Sequence, residues 1–307
     1  MRLVFMGTPA FAVPSLEGLA EAGHQLAGVF SQPDKPVGRH HNKLQPTPVK
    51  ERALARGIPV YQPETLRDGT ALSILQELAP ELIVVAAYGR FLPDEILALP
   101  PKGCINVHSS LLPKYRGSAP INWAILNGER VTGVTIQRMV REMDAGDIIL
   151  QQSTPIGETE DAAALYDRLA RLGGELAVEA VAQIQAGTAT CTPQDHTQAT
   201  QAPMLSKAMS PVDWTRSAQE IFNQIRGLYP WPGASTTALT GEPIKLWGAQ
   251  VVEKHTDATP GTVIAAGKQG IDVACGDFMT LRILELQAPG KKRMSAAAYL
   301  AGHPIQV

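Results

Sequence analysis

Residues 1–30, MRLVFMGTPAFAVPSLEGLAEAGHQLAGVF, set the pattern of the first half of the chain. An apolar run at residues 3–6 is followed by a helical spacing of apolar side chains at 10–22 and by a second apolar run at 25–30. Two strand-length runs on either side of a helical segment are typical of a β-α-β unit, in which the strands lie parallel and the helix covers one face of the sheet. This stretch therefore predicts an α/β fold.

The same alternation continues beyond residue 30. Further apolar runs of strand length occur at residues 58–61, 82–87 and 104–108. We therefore expect a Rossmann-like, open and mostly parallel sheet. The first strand leads into Gly7-Thr8-Pro9, which indicates a tight turn before a helix but lacks the G-x-G-x-x-G spacing of a dinucleotide-binding turn. The sequence therefore lacks the motif that would best support the binding of a nicotinamide cofactor.

The sheet is expected to gain an antiparallel addition after residue 130. Residues 131–140 and 148–153 are β-rich and are separated by a short Asp/Gly stretch, which predicts an antiparallel pair. Residues 161–186 have the apolar spacing of a long amphipathic helix. Residues 190–203 are rich in Thr, Gln, Pro and Asp and show little apolar periodicity, as expected of an interdomain linker.

The last part of the chain has a different character. Short β-like runs recur at 244–247, 262–265, 271–274 and 281–286, with Gly and Pro turns between them and one helical segment at 217–226. This spacing predicts a small OB-like β-barrel. We therefore expect a first domain at 1–189, a linker at 190–207 and a second domain at 208–307.

The composition is that of a globular protein without a strong charge imbalance. Over 307 residues, 44% are hydrophobic and 18% are charged, and the formal net charge is -2. The longest apolar stretches reach only strand length and the first residues lack the blocks of a signal peptide, so a cytoplasmic protein is expected. A net charge near zero argues against a protein that coats nucleic acid through bulk charge. Any nucleic-acid contact must therefore be local.

The densest chemical signal lies in residues 104–113, CINVHSSLLP. Residues two apart in a strand share a face, so Asn106 and His108 are expected to point the same way at the carboxyl end of a strand, where open parallel sheets bind ligands. Asn can donate to a developing oxyanion, and His can donate or accept a proton near neutral pH. Together they suit attack on a carbonyl carbon. On residue type alone, the alternative is that Asn106 and His108 are structural side chains with satisfied hydrogen bonds.

Asp144 is the third candidate, in the stretch between the two antiparallel segments. A carboxylate near His108 favours the imidazolium and holds its tautomer, whereas the alternative is an ordinary turn aspartate. Asp144 and Asp147 form only a weak signal for a hard cation, because no further oxygen ligands accompany them. The three cysteines lie far apart and form no C-x-x-C pair, so we assign neither a metal nor a disulfide framework.

Two segments could contact phosphates. The Pro- and Gly-containing segment 32–46 is expected to stay out of regular structure, with a solvated surface loop as the alternative to a ligand grip. Its basic or near-basic residues are Lys35, Arg39, His40, His41 and Lys43. The second segment is Gly290-Lys291-Lys292-Arg293, the only obvious basic cluster in the last part of the chain.

The order Asn106-Val107-His108-Ser109-Ser110-Leu111-Leu112-Pro113, with Asp144 further along, resembles the active site of the folate-dependent formyltransferase family. The resemblance implies 10-formyltetrahydrofolate as the formyl donor and Asn106, His108 and Asp144 as the catalytic residues. It also implies a segment that borders the folate, made of Ser110, Leu111, Leu112 and Pro113.

Other segments resemble the branch of this family that acts on initiator methionyl-tRNA. They are residues 6–9, 32–50, 205–207, 213–214, 229–232 and 290–295. The resemblance implies that the loop with Arg39 reaches the acceptor end of the tRNA and that the small barrel holds its stem. The residues expected to contact tRNA are Lys35, Arg39, Lys43, Lys291, Lys292 and Arg293. One departure is His40-His41-Asn42, where the family is richer in Lys, Arg and Gly.

Two rival functions remain open from the sequence. A formyltransferase for a small amine, such as glycinamide ribonucleotide or an aminosugar nucleotide, would share the three catalytic residues. A module that binds RNA without catalysis would keep the same fold. We expect a monomer, because no coiled-coil pattern or obvious self-complementary patch is present.

Overall fold

The computed structural model describes residues 1–37 and 43–305. The chain divides into two compact units. The first comprises Met1–Gly117, Val131–Pro155 and Tyr166–Ala202, and the second comprises Ser118–Arg130, Ile156–Leu165 and Pro203–Val307. Residues 190–202, expected to belong to a linker, are grouped with the first unit. The division into a first domain at 1–189, a linker at 190–207 and a second domain at 208–307 stays a prediction.

Eleven strands lie in the described part of the first unit. They are β1 (Arg2–Gly7), β2 (Gln25–Phe30), β3 (Lys35–Val37), β4 (Lys43–Gln45), β5 (Val60–Tyr61), β6 (Leu82–Ala86), β7 (Cys104–His108), β8 (Arg116–Gly117), β9 (Val131–Arg138), β10 (Ile148–Pro155) and β11 (Gln201–Ala202). Seven of them form one sheet in the order β10-β9-β7-β6-β1-β2-β5. The pairs among β5, β2, β1, β6 and β7 are parallel, whereas β9 and β10 are antiparallel to their neighbours. The predicted mostly parallel sheet and its antiparallel addition are both confirmed.

Burial explains why the central strands read as continuous apolar runs. Leu3, Val4, Phe5 and Met6 of β1 are fully buried, as expected of a strand that is covered on both faces. The last residue of β1 must be a glycine, because a Cβ at Gly7 would lie only 2.8 Å from a side-chain carbon and 2.9 Å from a backbone oxygen. The glycine therefore lets the end of β1 pack closely against its neighbours.

Eight α-helices are present in the described ranges. They are α1 (Val13–Glu21), α2 (Pro48–Ala55), α3 (Thr70–Leu78), α4 (Asp94–Leu97), α5 (Pro120–Leu126), α6 (Ala162–Ala186), α7 (Ala218–Gly227) and α8 (Ala296–Gly302). Helix α6 approaches β7 closely, since a Cβ at Gly173 would lie 2.8 Å from Cγ1 of Val107. The glycine lets this long helix cover one face of β7. The other face of β7 is the one that carries the candidate site.

The segment around the predicted basic loop corrects one expectation. Residues 35–37 and 43–45 pair as antiparallel strands β3 and β4, so the prediction of irregular structure across 32–46 was wrong for these stems. A Pro at an edge position does not prevent a short strand, because its missing N–H costs nothing where no partner accepts it. Residues 38–42 lie outside the described part of the chain.

Six further strands lie within the second unit as far as residue 305. They are β12 (Ala234–Thr236), β13 (Ile244–Val252), β14 (Val263–Gly267), β15 (Gly270–Ala274), β16 (Thr280–Gln287) and β17 (Met294–Ser295). The sheet has the order β12-β13-β16-β15-β14, with β17 paired to β16, and its pairs are antiparallel. The antiparallel, strand-rich character predicted for this part of the chain is confirmed.

Helix α7 packs against this sheet and has a well-formed start. Ile221 and Ile225 lie in the same buried cluster as Leu246 of β13. The Ser217 side chain accepts from the Glu220 N–H, and the Glu220 side chain accepts from the Ser217 N–H, which is a capping box. The predicted helical segment at 217–226 is therefore present with a shift of one residue. Across residues 1–37 and 43–305, no helix combines the length and apolar character that a membrane crossing needs.

Candidate active site

Asn106 and His108 lie on one face of β7 at its carboxyl end. Asn106 pairs with Gln137 of β9, and His108 pairs with Thr135, so these four polar side chains share a face of the sheet. Val107 points to the opposite face, where α6 covers it. The predicted alternation is therefore present, and it separates a helix-covered apolar face from a polar one.

Both ring nitrogens of His108 face oxygen atoms. Nε2 lies 2.9 Å from the carbonyl oxygen of Tyr115, and because a carbonyl only accepts, Nε2 must carry the hydrogen and donate it. Nδ1 lies 3.6 Å from Oδ1 of Asp144, and the two side chains are 6% and 11% exposed. The Asp144 carboxylate is therefore the acidic group that faces Nδ1 of His108.

The carboxylate of Asp144 is held by two donors. Its Oδ2 accepts from the Gly117 N–H at 2.9 Å, and its Oδ1 accepts from Nε2 of Gln137 at 2.9 Å. The backbone of Asp144 has a φ of 52°, a left-handed conformation that Asp tolerates better than most residues. The side chain is thus fixed in direction, and it belongs to the same polar group as His108.

The Asn106 amide has no hydrogen-bond partner among residues 1–37 and 43–305, and it is only half-buried. An amide in this state can donate to a ligand without first breaking a bond within the protein. Nearby, burial raises the pKa of the Cys104 thiol to about 12, so this thiol stays protonated and is not a nucleophile. Asn106 and His108 therefore remain the candidate reactive side chains on this strand.

The segment 110–113 leaves β7 just beyond His108. Ser110 and Leu112 are buried, whereas Leu111 and Pro113 are half-buried. The hydroxyl of Ser110 donates to the Lys114 carbonyl at 2.7 Å. The hydroxyl is thus used to close the turn, and the half-buried side chains remain the ones that can contact a ligand.

Two polar side chains from the neighbouring strands hold this turn. The Thr135 hydroxyl donates to the Ser110 carbonyl at 2.6 Å and accepts from the Leu112 N–H at 3.2 Å. The Gln151 amide donates to the Leu112 carbonyl at 3.0 Å. The turn therefore has a fixed backbone, although it contains no regular structure.

Left-handed backbone conformations concentrate around this site. Ala87, Tyr115 and Asp144 have φ values of 46°, 62° and 52°. Such conformations cost free energy for residues other than glycine and persist where the surroundings hold them in place. At Tyr115 the strain has a visible result, because this residue presents the carbonyl that accepts from His108.

Exposed apolar side chains lie beside the polar group. Phe91, Val140 and Met143 are 64%, 46% and 45% exposed, and Met143 directly precedes Asp144. The two segments that carry them are adjacent, since Arg141 Nη1 lies 3.4 Å from Oδ2 of Asp94. Apolar side chains on the rim of a polar site are suited to covering the flat face of a heterocyclic ligand.

The sequence interpretation missed several residues of this site. Gly117, Thr135, Gln137 and Gln151 contact its catalytic candidates or its turn. A signal was present for two of them, because Thr135 and Gln137 are polar residues at two-residue spacing that alternate with the apolar Val134 and Ile136. This spacing places them on one face, which is the face that the pairing gives to Asn106 and His108.

The predicted tRNA contacts in the first unit are described only in part. Lys35 is exposed in β3. Arg39, His40 and His41 lie outside the described residues, as does the side chain of Lys43. The structure therefore locates the stems of this loop and leaves its tip as a prediction.

The base of the loop is anchored by a polar cluster. Lys50 Nζ lies 2.6 Å from Oδ2 of Asp34 and donates to Oε1 of Gln62 at 2.7 Å. Gln62 in turn donates to Oδ1 of Asp34 at 2.7 Å and to the Gln32 carbonyl at 2.8 Å. These hydrogen bonds lower the pKa of Asp34, with the Gln62 bond as the largest cause. The chain entering the loop is thus fixed to α2 and to β5.

The basic cluster of the second unit lies on its surface. Lys291, Lys292 and Arg293 are exposed. Arg293 forms an ion pair with Glu285, and its guanidinium lies 5.5 Å from the ring centre of Tyr229. The cluster therefore presents two lysines to solvent, together with an arginine whose charge is partly neutralised by Glu285.

Family models match both halves of the chain. The model described as "Formyl transferase" matches residues 1–181, and the model described as "Formyl transferase, C-terminal domain" matches residues 204–304. The chain belongs to the formyl transferase family.

Full-length relatives carry one particular name. Proteins named methionyl-tRNA formyltransferase from Alkaliphilus oremlandii and Bacillus subtilis are 49% and 46% identical to this chain over 306 and 305 residues. The matches cover 100% and 99% of this chain and 98% and 96% of the relatives. The resemblance stated from the sequence is confirmed.

Solved structures share the fold at low identity. A sugar 3N-formyl transferase, WlaRD, solved with dTDP and 5-N-formyl-THF, has a TM-score of 0.69 at 18% identity, with 95% of this chain and 99% of that chain covered. HypX from Aquifex aeolicus, solved with tetrahydrofolic acid, has a TM-score of 0.64 at 21% identity, with 98% and 47% covered. These likenesses show the fold.

Proposed function

We propose that this chain transfers the formyl group of 10-formyltetrahydrofolate to the α-amino group of methionyl-initiator tRNA, which gives N-formylmethionyl-tRNA for translation initiation. The observation that carries this proposal is the full-length identity to methionyl-tRNA formyltransferases. The grouping of His108 and Asp144 beside the Asn106 amide, which has no hydrogen-bond partner in the described part of the chain, supports it chemically.

The surroundings of His108 suit a folate donor. The exposed side chains of Phe91, Val140 and Met143 can cover a flat pterin ring, which gains free energy when its apolar faces leave water. The half-buried residues Leu111 and Pro113 are suited to border it, on a turn that Thr135 and Gln151 hold. When bound, the folate supplies an electrophilic formyl carbon.

Asn106 and His108 stabilise the negative charge that appears on the formyl oxygen when the amine attacks. The Asn106 amide donates to that oxygen, and such donors contribute roughly 3 to 4 kcal/mol of barrier reduction in other enzymes. In His108, Nε2 is committed to the Tyr115 carbonyl. Nδ1 lies 3.6 Å from Asp144, which is beyond hydrogen-bond distance, and is therefore the ring nitrogen that we assign to the substrate oxygen.

Asp144 has two roles in this proposal. Its charge stabilises the His108 imidazolium, and it accepts the proton that the attacking α-amino group loses, directly or through water. A bond forms between the amine nitrogen and the formyl carbon, the bond to N10 of the folate breaks, and N10 takes up a proton. No covalent enzyme intermediate is needed.

The acceptor is assigned from the relatives and from charge. We propose that residues 1–189 carry out the transfer and that residues 208–307 help to hold the tRNA. The basic residues that fit phosphate contacts are Lys35, Arg39, Lys43, Lys291, Lys292 and Arg293. A cytoplasmic monomer is the form in which we expect the enzyme to meet its tRNA.

An acceptor comparison tests the proposal. The enzyme is given 10-formyltetrahydrofolate with methionyl-initiator tRNA, with methionyl-elongator tRNA or with free methionine, and the formylated product is measured. We expect the initiator to be strongly preferred. Transfer to a small amine, such as an aminosugar nucleotide, with no transfer to methionyl-tRNA would refute the assignment.

A further inference from the structure

Gln194, in the segment 190–202, contacts the turn that carries Asp144. Gln194 is 6% exposed. Its Nε2 donates to the carbonyls of Asp144 at 2.9 Å and Gly146 at 2.7 Å, and lies 3.4 Å from Oε1 of Gln137. Its Oε1 accepts from Nη2 of Arg116 at 2.8 Å. Both ends of this buried amide are therefore used.

The turn that Gln194 holds has little freedom to relax in another way. Asp144 has a φ of 52°. A Cβ at Gly146 would lie 1.9 Å from the Arg138 carbonyl oxygen. Two carbonyls two residues apart, which point to one amide, fix the path of the chain between them. The direction of the Asp144 carboxylate depends on that path.

Gln194 also reaches the carboxylate through a side chain. Gln137, whose Oε1 faces the Gln194 amide, donates from its own Nε2 to Oδ1 of Asp144 at 2.9 Å. The two glutamines therefore form a short chain that ends on the atom facing His108. Loss of the first member leaves the second free to turn away from the carboxylate.

The same segment holds the other partner of His108. The Tyr115 N–H donates to the Thr200 hydroxyl at 2.9 Å, and the Arg116 N–H donates to the Thr200 carbonyl at 2.8 Å. Residues 201–202 then pair with β8. The segment 190–202, which was predicted to be a linker, thus holds both Asp144 and Tyr115, the two residues that face the His108 ring.

We propose that Gln194 is a positioning residue for formyl transfer, acting through Asp144 on His108; this rests on the proposed function. Its side-chain amide is committed to contacts within the protein. Its role is to keep Asp144 Oδ1 directed at Nδ1 of His108, so that the carboxylate and the ring hold their relative orientation for the reaction.

Two variants and one control separate this role from general stability. Gln194→Met keeps the length and removes all polar contacts, whereas Gln194→Glu keeps the acceptor for Arg116 and removes the donor. Gln198→Met is the matched control, because Gln198 is an exposed glutamine of the same segment whose side chain donates to Asp195. Each variant is compared as the full chain.

We expect both Gln194 variants to lower kcat by about 30-fold, with KM for donor and tRNA changed by no more than about twofold. The control should match wild type. In an Asp144→Asn background, Gln194→Met should lower kcat by less than about threefold further, because both changes act on the same pair. Wild-type kcat in Gln194→Glu, or additive losses in the double variant, would overturn the inference.

A readout that needs no substrate keeps this test independent of the proposed acceptor. The ring ¹⁵N signals of His108, assigned with His108→Ala, should move in Gln194→Met and Gln194→Glu and stay in place in Gln198→Met. Unchanged signals in both Gln194 variants would contradict the inference. If wild type formylates no methionyl-tRNA, the proposed function fails, and the ¹⁵N signals still decide the role of Gln194.

Discussion

Nδ1 of His108 lies 3.6 Å from Oδ1 of Asp144, and this relationship joins two parts of the sheet. His108 ends a strand of the parallel part, whereas Asp144 follows the antiparallel strand β9. Antiparallel pairing of β7 with β9 brings the two ends together. The extra strands thus complete the candidate site, and the parallel sheet alone would present a histidine without its carboxylate.

Removal of the Asp144 charge should reduce catalysis strongly. In Asp144→Asn the side-chain amide faces the N–H donors that now hold the carboxylate, so one of these contacts is lost along with the charge beside His108. We expect kcat to fall by about 100-fold. The control is Asp147→Asn, three residues away. An equal loss in both variants would point to a shared cation rather than to pairing with His108.

Gly117 should tolerate no side chain. Its φ is 118°, and a Cβ would lie 2.8 Å from the Ala202 carbonyl oxygen, so Gly117→Ala must displace the N–H that holds Asp144. We expect a lower melting temperature and a loss in kcat of about tenfold or more. Gly187→Ala is the matched control, since its φ is also positive, at 70°, with open space around it. If Gly117→Ala keeps the kcat of the control, this donor does not position Asp144.

The predicted loop contact can be tested by its response to salt. Arg39→Ala should raise the KM for tRNA and reduce the slope of log affinity against log salt by about 1, because one phosphate contact is lost. Arg171→Ala, an exposed arginine on α6, serves as the control. A salt slope and a KM equal to those of wild type in Arg39→Ala would make the loop an ordinary solvated surface.

The α7 capping box gives a stability prediction with a defined pH dependence. Hydrogen bonds from Arg216 and then Ser217 lower the pKa of Glu220 from 4.5 to about 2. A carboxyl with a lowered pKa stabilises the fold at pH above its unfolded value, and this contribution is lost as pH falls toward the folded value. Glu220→Gln should therefore unfold at lower urea than wild type at pH 7, and the difference should shrink between pH 4.5 and pH 2.

Tryptophan fluorescence suits this measurement, because Trp123, Trp214, Trp231 and Trp247, the four of the chain, lie in the second unit. Glu253→Gln, at an exposed position of the same unit, is the control. A difference that is constant from pH 7 to pH 2 would show that the charge of Glu220 does not contribute.

The sequence predicted the elements whose signal is apolar spacing. The strand at residues 82–86 and the helix at residues 162–186 are long enough and apolar enough to read directly. Asn106 and His108 followed from strand alternation, and Asp144 was assigned mainly by resemblance. Gln194 was not predicted from the sequence, because it acts through hydrogen bonds to backbone carbonyls that are distant along the chain. Such contacts leave no periodic pattern in a stretch of Thr, Gln and Pro.

The most direct test of the central claim is the rate of the chemical step with enzyme in excess over methionyl-initiator tRNA and with saturating donor. Asn106→Ala and His108→Ala should each lower this single-turnover rate by about 100-fold or more while the circular dichroism spectrum stays that of wild type. A rate within about threefold of wild type in either folded variant would remove that residue from the mechanism.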